Sequence, residues 1–169
     1  MRAARFVMRG LFDLGKPIKC RSGWLWELEN EPSRILKVTQ DPDPAFLKRF
    51  NKILSYLQRI DSPSVVKVHE FGVAKKNGAR CQIPFHYHVM EKLNPLPKGS
   101  YVPHEMFTEL LSYYYRSRQT IPFFLSDNMI NFIKDLKKLK YKYCDLHYDN
   151  IMQNEVGKFK IIDLEAFLG

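Results

Sequence analysis

Asp145, Asn150 and Asp163 stand five and then thirteen positions apart near the end of this 169-residue chain. Their types divide a chemical task between them. A carboxylate can orient a hydroxyl and take its proton. An amide oxygen and a second carboxylate are hard donors of the kind that Mg²⁺ accepts, and Mg²⁺ held there can steady nucleotide phosphates. An aspartate followed five positions later by an asparagine is common by itself. The longer string Asp145-Leu146-His147-Tyr148-Asp149-Asn150, with Asp163 at the end of the apolar run Phe159-Lys160-Ile161-Ile162, is far more specific.

The rest of the chain must position these groups. Residues 5–40 read as strands, with a turn region at 16–23 and a second turn at Asn30-Glu31-Pro32-Ser33. Between these turns, Trp24-Leu25-Trp26-Glu27-Leu28-Glu29 alternates loosely, which places both tryptophans on one face as packing residues. Arg34-Ile35-Leu36-Lys37-Val38 reads as a short strand. Asp43 before Pro44 is a helix start, a capping carboxylate followed by proline at the first helical position. Phe46, Phe50, Ile53, Leu54, Leu57 and Ile60 continue it at three- and four-residue spacing, and Asp61-Ser62-Pro63-Ser64 ends it. Strands are expected over 65–73 and 82–90, joined by a hairpin turn at Lys75-Lys76-Asn77-Gly78.

Asn94-Pro95-Leu96-Pro97-Lys98-Gly99 is the best linker in the chain. It divides an N-terminal part, 1–93, from a C-terminal part, 104–169, with 94–103 between them. The C-terminal pattern predicts helices over 103–116 and 126–141. The adjacent Tyr113, Tyr114 and Tyr115 read as helix packing. A closing hairpin is predicted from Ile151-Met152-Gln153, a turn at 154–157 and a strand over 159–162. The fold class is therefore α+β.

Composition narrows the partners. A 45% hydrophobic and 14% aromatic content supports a packed core and argues against disorder. No run approaches a membrane span, and the basic N-terminus lacks the apolar stretch of a secretory signal, so no membrane partner is expected. Cys20, Cys81 and Cys144 are odd in number and far apart, which suits free thiols in a reducing cytoplasm. The net charge of +9 suits an anionic partner and permits nucleic acid, although no nucleic-acid motif is present. The densest basic stretch, 134–142, reads as a solvated helix face and as one place where a protein partner could bind.

The catalytic string, set between Tyr143-Cys144 and Ile151, resembles the protein kinase catalytic loop H-R-D-L-x-x-x-N, and more closely the D-L-H-x-x-N-I variant of small-molecule, atypical and phage-encoded kinases. Ile161-Ile162-Asp163-Leu164-Glu165 resembles the strand entering D-F-G. Ile35-Leu36-Lys37-Val38 resembles V-A-I-K, and His88-Val89-Met90-Glu91-Lys92-Leu93 resembles the strand that enters the hinge. The resemblance implies a two-lobed protein kinase-like fold: an N-terminal antiparallel sheet of about five strands plus one helix, and a much reduced helical C-lobe. It implies ATP between the lobes, with Mg²⁺ on Asn150 and Asp163. Asp145 would be the catalytic base, Lys37 would meet the phosphates, and Glu91 and Leu93 would offer main-chain groups to adenine. His147 stands where many kinases carry a phosphate-contacting lysine. A bacterial or viral source, the latter acting in a host cytoplasm, follows from the same likeness.

Three departures qualify the activity that the resemblance implies. Of the glycine-rich loop only Gly15 and Gly23 remain, with Lys16, Lys19 and Arg21 between them. The helix over 44–60 has no acidic residue, and Phe50 falls where a glutamate would pair with Lys37; Gln58 is a neutral alternative and Asp163 another partner. Six residues follow Asp163, which leaves no room for an activation segment. A minimal kinase acting on Ser/Thr hydroxyls of a protein is the leading expectation, with an activating protein as a further partner. A nucleotide-binding pseudokinase that serves as an interaction module is the alternative, and a small-molecule kinase a further one.

Overall fold

A computed structural model describes residues 2–20, 22–40, 43–75, 84–97, 104–116 and 126–168. Arg21, Lys76, Asn77, Gly78, Cys81, Gln82, Lys98, Gly99 and Pro103, which carried several of the expectations above, lie outside the described residues. The chain forms two compact units, Met1–Asp61 with Lys67–Lys92, and Ser62–Val66 with Leu93–Gly169. The structure is mixed α+β, with a five-stranded antiparallel sheet and, among the described residues, four α-helices.

The first unit is built on that sheet. Its strands are β1 (Leu14–Ile18), β2 (Trp24–Leu28), β3 (Glu31–Thr39), β4 (Val68–Ala74) and β5 (Phe85–Glu91), in the order β1-β2-β3-β5-β4. Strand periodicity sends successive side chains to opposite faces. Leu36 and Val38 of β3 join Phe85 and Val89 of β5 on one face, in a core with Trp26, Leu14 and Leu28. Trp24 packs against the same core, with its ring 5.8 Å from Phe85, so both tryptophans serve packing. Lys37, one residue out of phase, belongs to the other face beside its register partner His88.

Each face carries a helix. Helix α1 (Arg2–Met8) contributes Ala4 and Met8 to the Leu36 core, with Val7 packed against it. This corrects the expectation of strand from residue 5. The run Phe6-Val7-Met8 fits either period by itself, and the three- and four-residue spacing from Ala4 to Val7 and Met8 decides for helix. Helix α2 (Pro44–Ile60) is capped as expected, with the Asp43 carboxylate accepting from Ala45 N–H at 2.9 Å. It ends at Asp61 in the left-handed conformation. Phe50 of α2 is buried with ring centroids 5.8 Å from His86 and 5.7 Å from His88.

Two turns are shorter than expected. The region 16–23 is a strand as far as Ile18, where the edge position of β1 tolerates Pro17 at a register shift. Strand β3 begins at Glu31, leaving only Glu29-Asn30 as the turn. Pro32 is exposed where the pairing with β2 is irregular, so its missing N–H costs no ladder bond in register.

The second unit holds α3 (His104–Tyr115), α4 (Asp127–Lys137) and two small sheets. One has β6 (Asn94–Pro95), β8 (Ile151–Gln153) and β9 (Phe159–Ile161) in the order β6-β8-β9. The other pairs β7 (Lys142–Tyr143) with β10 (Phe167–Leu168). The predicted hairpin is β8–β9, with Gly157 at φ 77° in its turn. Ser126 caps α4 by accepting from Met129 N–H at 3.3 Å. The helix stops at Lys137, short of the expected 141, because the chain must extend for Tyr143 to pair with Phe167. Ser62–Val66 belongs here: Val66 N–H donates to Ile161 O at 2.8 Å and Ile161 N–H to Ser64 O at 3.0 Å. Among the described residues no helix is long and apolar enough to cross a membrane.

Two expected outcomes follow from the first unit. Gly23 has φ 74°, and a Cβ there would stand 2.2 Å from Val38 O, so Gly23→Ala should cost about 1–3 kcal/mol in urea unfolding. An unchanged midpoint would contradict the packing at that corner. Burial, with the nearby Lys37 charge, holds His88 neutral down to about 3, against 6.5 for a free imidazole, and burial lowers His86 as well. The unfolded chain therefore binds protons first, and stability is lost as pH falls from about 6.5 toward 3, by at most about 1.4 kcal/mol per pH unit for each such histidine. His88→Leu should lose less stability than the wild type between pH 7 and 4.5; equal losses would rule His88 out as the cause.

Candidate active site

The loop that carries Asp145 is irregular backbone, and irregular backbone in a protein interior must find partners beyond its own ladder. Two tyrosines of α3 supply them. The Tyr114 hydroxyl accepts from Tyr143 N–H at 3.0 Å, and the Tyr115 hydroxyl accepts from Leu146 N–H at 3.2 Å. Burial pushes Tyr114 up to about 12 and raises Tyr115, so both stay protonated at neutral pH while they accept. Cys144 N–H donates to Ala166 O at 3.0 Å, which extends the β7–β10 ribbon by one bond. These contacts flank Asp145 on both sides and leave its carboxylate exposed.

Asn150 closes the loop from the other end. It is buried at the end of the single 3₁₀ turn Tyr148–Asn150. Its Nδ2 donates to Asp145 O at 2.9 Å and to Asp145 Oδ2 at 3.1 Å. Both bonds use the amide nitrogen, so Oδ1 is the atom left to face a cation. Ile162 N–H donates to Asn150 O at 3.1 Å, which ties the loop to the segment that leads into Asp163. Asp163 is half-buried and precedes the 3₁₀ turn Leu164–Ala166.

Tyr143 lies in the field of these groups. Its side chain is fully buried, and its hydroxyl has no hydrogen-bond partner among the described residues. Burial raises it far above the ordinary tyrosine range, and the charges of Asp163 and then Asp145 raise it further. Asn150 lies near enough to offset this in part, without the geometry of a full hydrogen bond. Both carboxylates therefore act electrostatically on one buried hydroxyl.

His147 Nε2 lies 3.3 Å from Asp145 Oδ2, and its Nδ1 lies 4.0 Å from Asp149 Oδ2. The ring thus sits between two carboxylates. Leu93 is buried in this unit. A cavity of about 290 Å³ in this unit is lined by Ser64, Asn128, Asp135 and Lys158 among others and by none of the predicted site residues.

In the first unit, Lys37 is buried and its charge lowers His88. Gln58, the neutral alternative partner, donates its amide to His69 O at 2.6 Å. Glu91 ends β5; its N–H donates to Lys67 O at 3.0 Å, and its carboxylate, in place of its carbonyl, accepts from Lys67 N–H at 2.7 Å. Gly23, but not Gly15, lines a cavity of about 180 Å³ whose lining also includes Lys19, Trp24 and Trp26.

The donor set suits Mg²⁺. The Asn150 amide oxygen and the Asp163 carboxylate are hard donors, and Mg²⁺ commonly takes one or two protein oxygens and completes its shell with phosphates and water. Among the described residues no three His, Cys, Asp or Glu side chains converge on a metal-sized site, and such a two-donor arrangement needs none. Tyr114 and Tyr115 were not singled out for the site from the sequence, where they read as packing. The one available signal was a pair of hydroxyl-bearing aromatics on a helix that precedes a loop in need of acceptors.

No family model matches the chain, and no curated protein is detectably similar to it.

The two loop tyrosines yield opposite expectations. Tyr114→Phe leaves the buried Tyr143 N–H without an acceptor and should cost about 1–3 kcal/mol. Tyr143→Phe removes a hydroxyl that has no hydrogen-bond partner among the described residues and should leave stability unchanged or raise it by less than about 1 kcal/mol. Chemical denaturation of both variants checks this, and a reversed order would contradict the hydrogen-bonding scheme.

Proposed function

We propose that this chain is a minimal protein kinase-like domain that uses ATP and Mg²⁺ to phosphorylate a Ser/Thr hydroxyl of a protein. The observation that carries the reading is the bonding of the Asn150 amide to Asp145, with Ile162 N–H on Asn150 O tying the segment that enters Asp163 to the same loop. The two units are read as the lobes of a reduced kinase-like fold. Lys37 would hold the α/β-phosphates, the Glu91 carbonyl and Leu93 backbone would meet adenine, and Asn150 and Asp163 would hold Mg²⁺.

Asp145 is exposed on one side and fixed on the other by Asn150. It would take the acceptor hydroxyl's proton as that oxygen bonds to the γ-phosphorus and the bond to the bridging oxygen breaks, releasing ADP. Bound Mg²⁺ supplies charge neutralisation on the phosphate oxygens. His147, between Asp145 and Asp149, contacts the Asp145 carboxylate at 3.3 Å and would restrict its rotation.

A second reading has its own observation. Helix α2 carries no acidic residue, and its Phe50 packs on His86 and His88, the latter the register partner of Lys37. Lys37 thus lacks the helix carboxylate that orients it in active kinases. This favours a nucleotide-binding pseudokinase that acts as an interaction module. The two readings separate in one assay of γ-phosphate transfer to a generic protein acceptor. An active kinase loses transfer by at least about 100-fold in Asp145→Asn and Asp163→Ala. A pseudokinase shows a melting temperature raised by ATP and no transfer. Transfer that survives in Asp163→Ala would overturn the metal assignment.

A further inference from the structure

The loop's scaffold continues outward into a basic surface. Lys142 immediately precedes Tyr143, and its ammonium lies 5.2 Å from the ring centroid of Tyr115, the residue whose hydroxyl holds Leu146 N–H beside Asp145. Lys140 lies 5.3 Å from the Tyr141 ring centroid. Lys137 lies 4.3 Å from that of Tyr113 and donates to Tyr113 O at 3.0 Å. Arg116 follows Tyr115 and is exposed, as are all three lysines. The acid nearest in sequence to the end of α4, Asp135, is ion-paired with Lys138 at 3.2 Å.

These lysines are arranged as well as numerous. A cation over a tyrosine face gains about 0.5–1 kcal/mol at an exposed site and is restricted in where it can go. A ligand that meets such a lysine loses less side-chain freedom on binding than with a fully mobile one. The charge also stops abruptly. Asp145 and Asp149 present exposed carboxylates a few residues beyond Lys142. A continuous phosphate chain lying on the lysines would carry a charge past these carboxylates. The tyrosine faces that could stack bases are covered by lysine or, for Tyr113 and Tyr114, buried. A peptide has no such conflict, since it can set carboxylates on the lysines and a neutral hydroxyl residue at Asp145.

From this juxtaposition we propose that Lys137, Lys140, Lys142 and Arg116 form a docking surface for an acidic peptide segment, and that the protein's acceptor hydroxyls lie beside clustered Asp and Glu. The choice of acceptor rests on the kinase reading; the docking surface is separable from it.

The test is fluorescence anisotropy on the full chain with a labelled peptide in which one serine is flanked by three glutamates on each side. A lysine-flanked counterpart and a single-stranded RNA of equal charge serve as comparisons. The acidic peptide should bind at least about 10-fold tighter than either, weaken on raising salt, and lose about 10-fold or more in the double variant Lys140→Glu/Lys142→Glu. Lys140→Gln/Lys142→Gln, milder for folding, should lose less in the same direction. Equal binding of both peptides, tighter binding of the RNA, or full binding by folded double variants would overturn the proposal. The same peptides are then offered with ATP and Mg²⁺. Binding without transfer supports the docking surface and sinks the kinase reading, whereas transfer without preference for the acidic peptide sinks the docking proposal alone.

Discussion

An unpaired backbone N–H in a dry interior costs as much as a good side-chain contact gains. That constraint governs the second unit. The segment from Tyr143 to Asn150 is neither helix nor ladder between Cys144 and His147, yet Tyr143, Leu146 and Asn150 are buried. Its backbone groups are satisfied from three places: Tyr143 and Leu146 N–H by tyrosine hydroxyls of α3, Cys144 N–H by the carbonyl of Ala166, and the Asp145 carbonyl by the Asn150 side-chain amide. Each bond fixes one point of the loop, and together they leave the Asp145 carboxylate as the part directed to solvent. The positioning of the candidate base is thus a by-product of backbone satisfaction.

The first unit is arranged on a different principle. Alternation along β3 and β5 sends successive side chains to opposite faces, so Lys37, His86 and His88 are buried on the α2 side. The neighbours of Lys37 there, His86, His88 and Phe50, carry no negative charge at neutral pH. Burial disfavours charging the imidazoles, and the lysine beside His88 makes charging it harder still. Helix α2 packs on this face through the aromatic contacts of Phe50 with His86 and His88.

Long periodic features were legible in the sequence. The α2 helix with its Asp43 cap, the hydrophobic strands β2, β3 and β5, and the β8–β9 hairpin each rest on local chemistry that tertiary contacts reinforce. Legibility failed where local chemistry is silent. Seven residues of α1 fit strand or helix until Ala4 and Met8 meet the Trp26 core. Strand β1 contains a glycine and a proline and is made a strand by β2. The two-residue strands β6, β7 and β10 have no pattern that a sequence could display. At the site, the polar residues were visible because their spacing is unusual. The tyrosines that hold them were read as packing, since a hydroxyl's partner cannot be seen until the chain is folded.

The β7–β10 ribbon, with Cys144 N–H on Ala166 O, pins together the two ends of a hoop of chain. Asp145 lies just inside one side of this neck and Asp163 just inside the other. The hoop's far tip is the turn at Gly157, around which a Cβ would meet nothing within 4 Å. The cost of closing a loop grows only slowly with its length. Segments of different size could therefore be spliced in at the tip while the neck keeps the same span, so evolution or an engineer has one end of the hoop for variation and the other for conserved geometry.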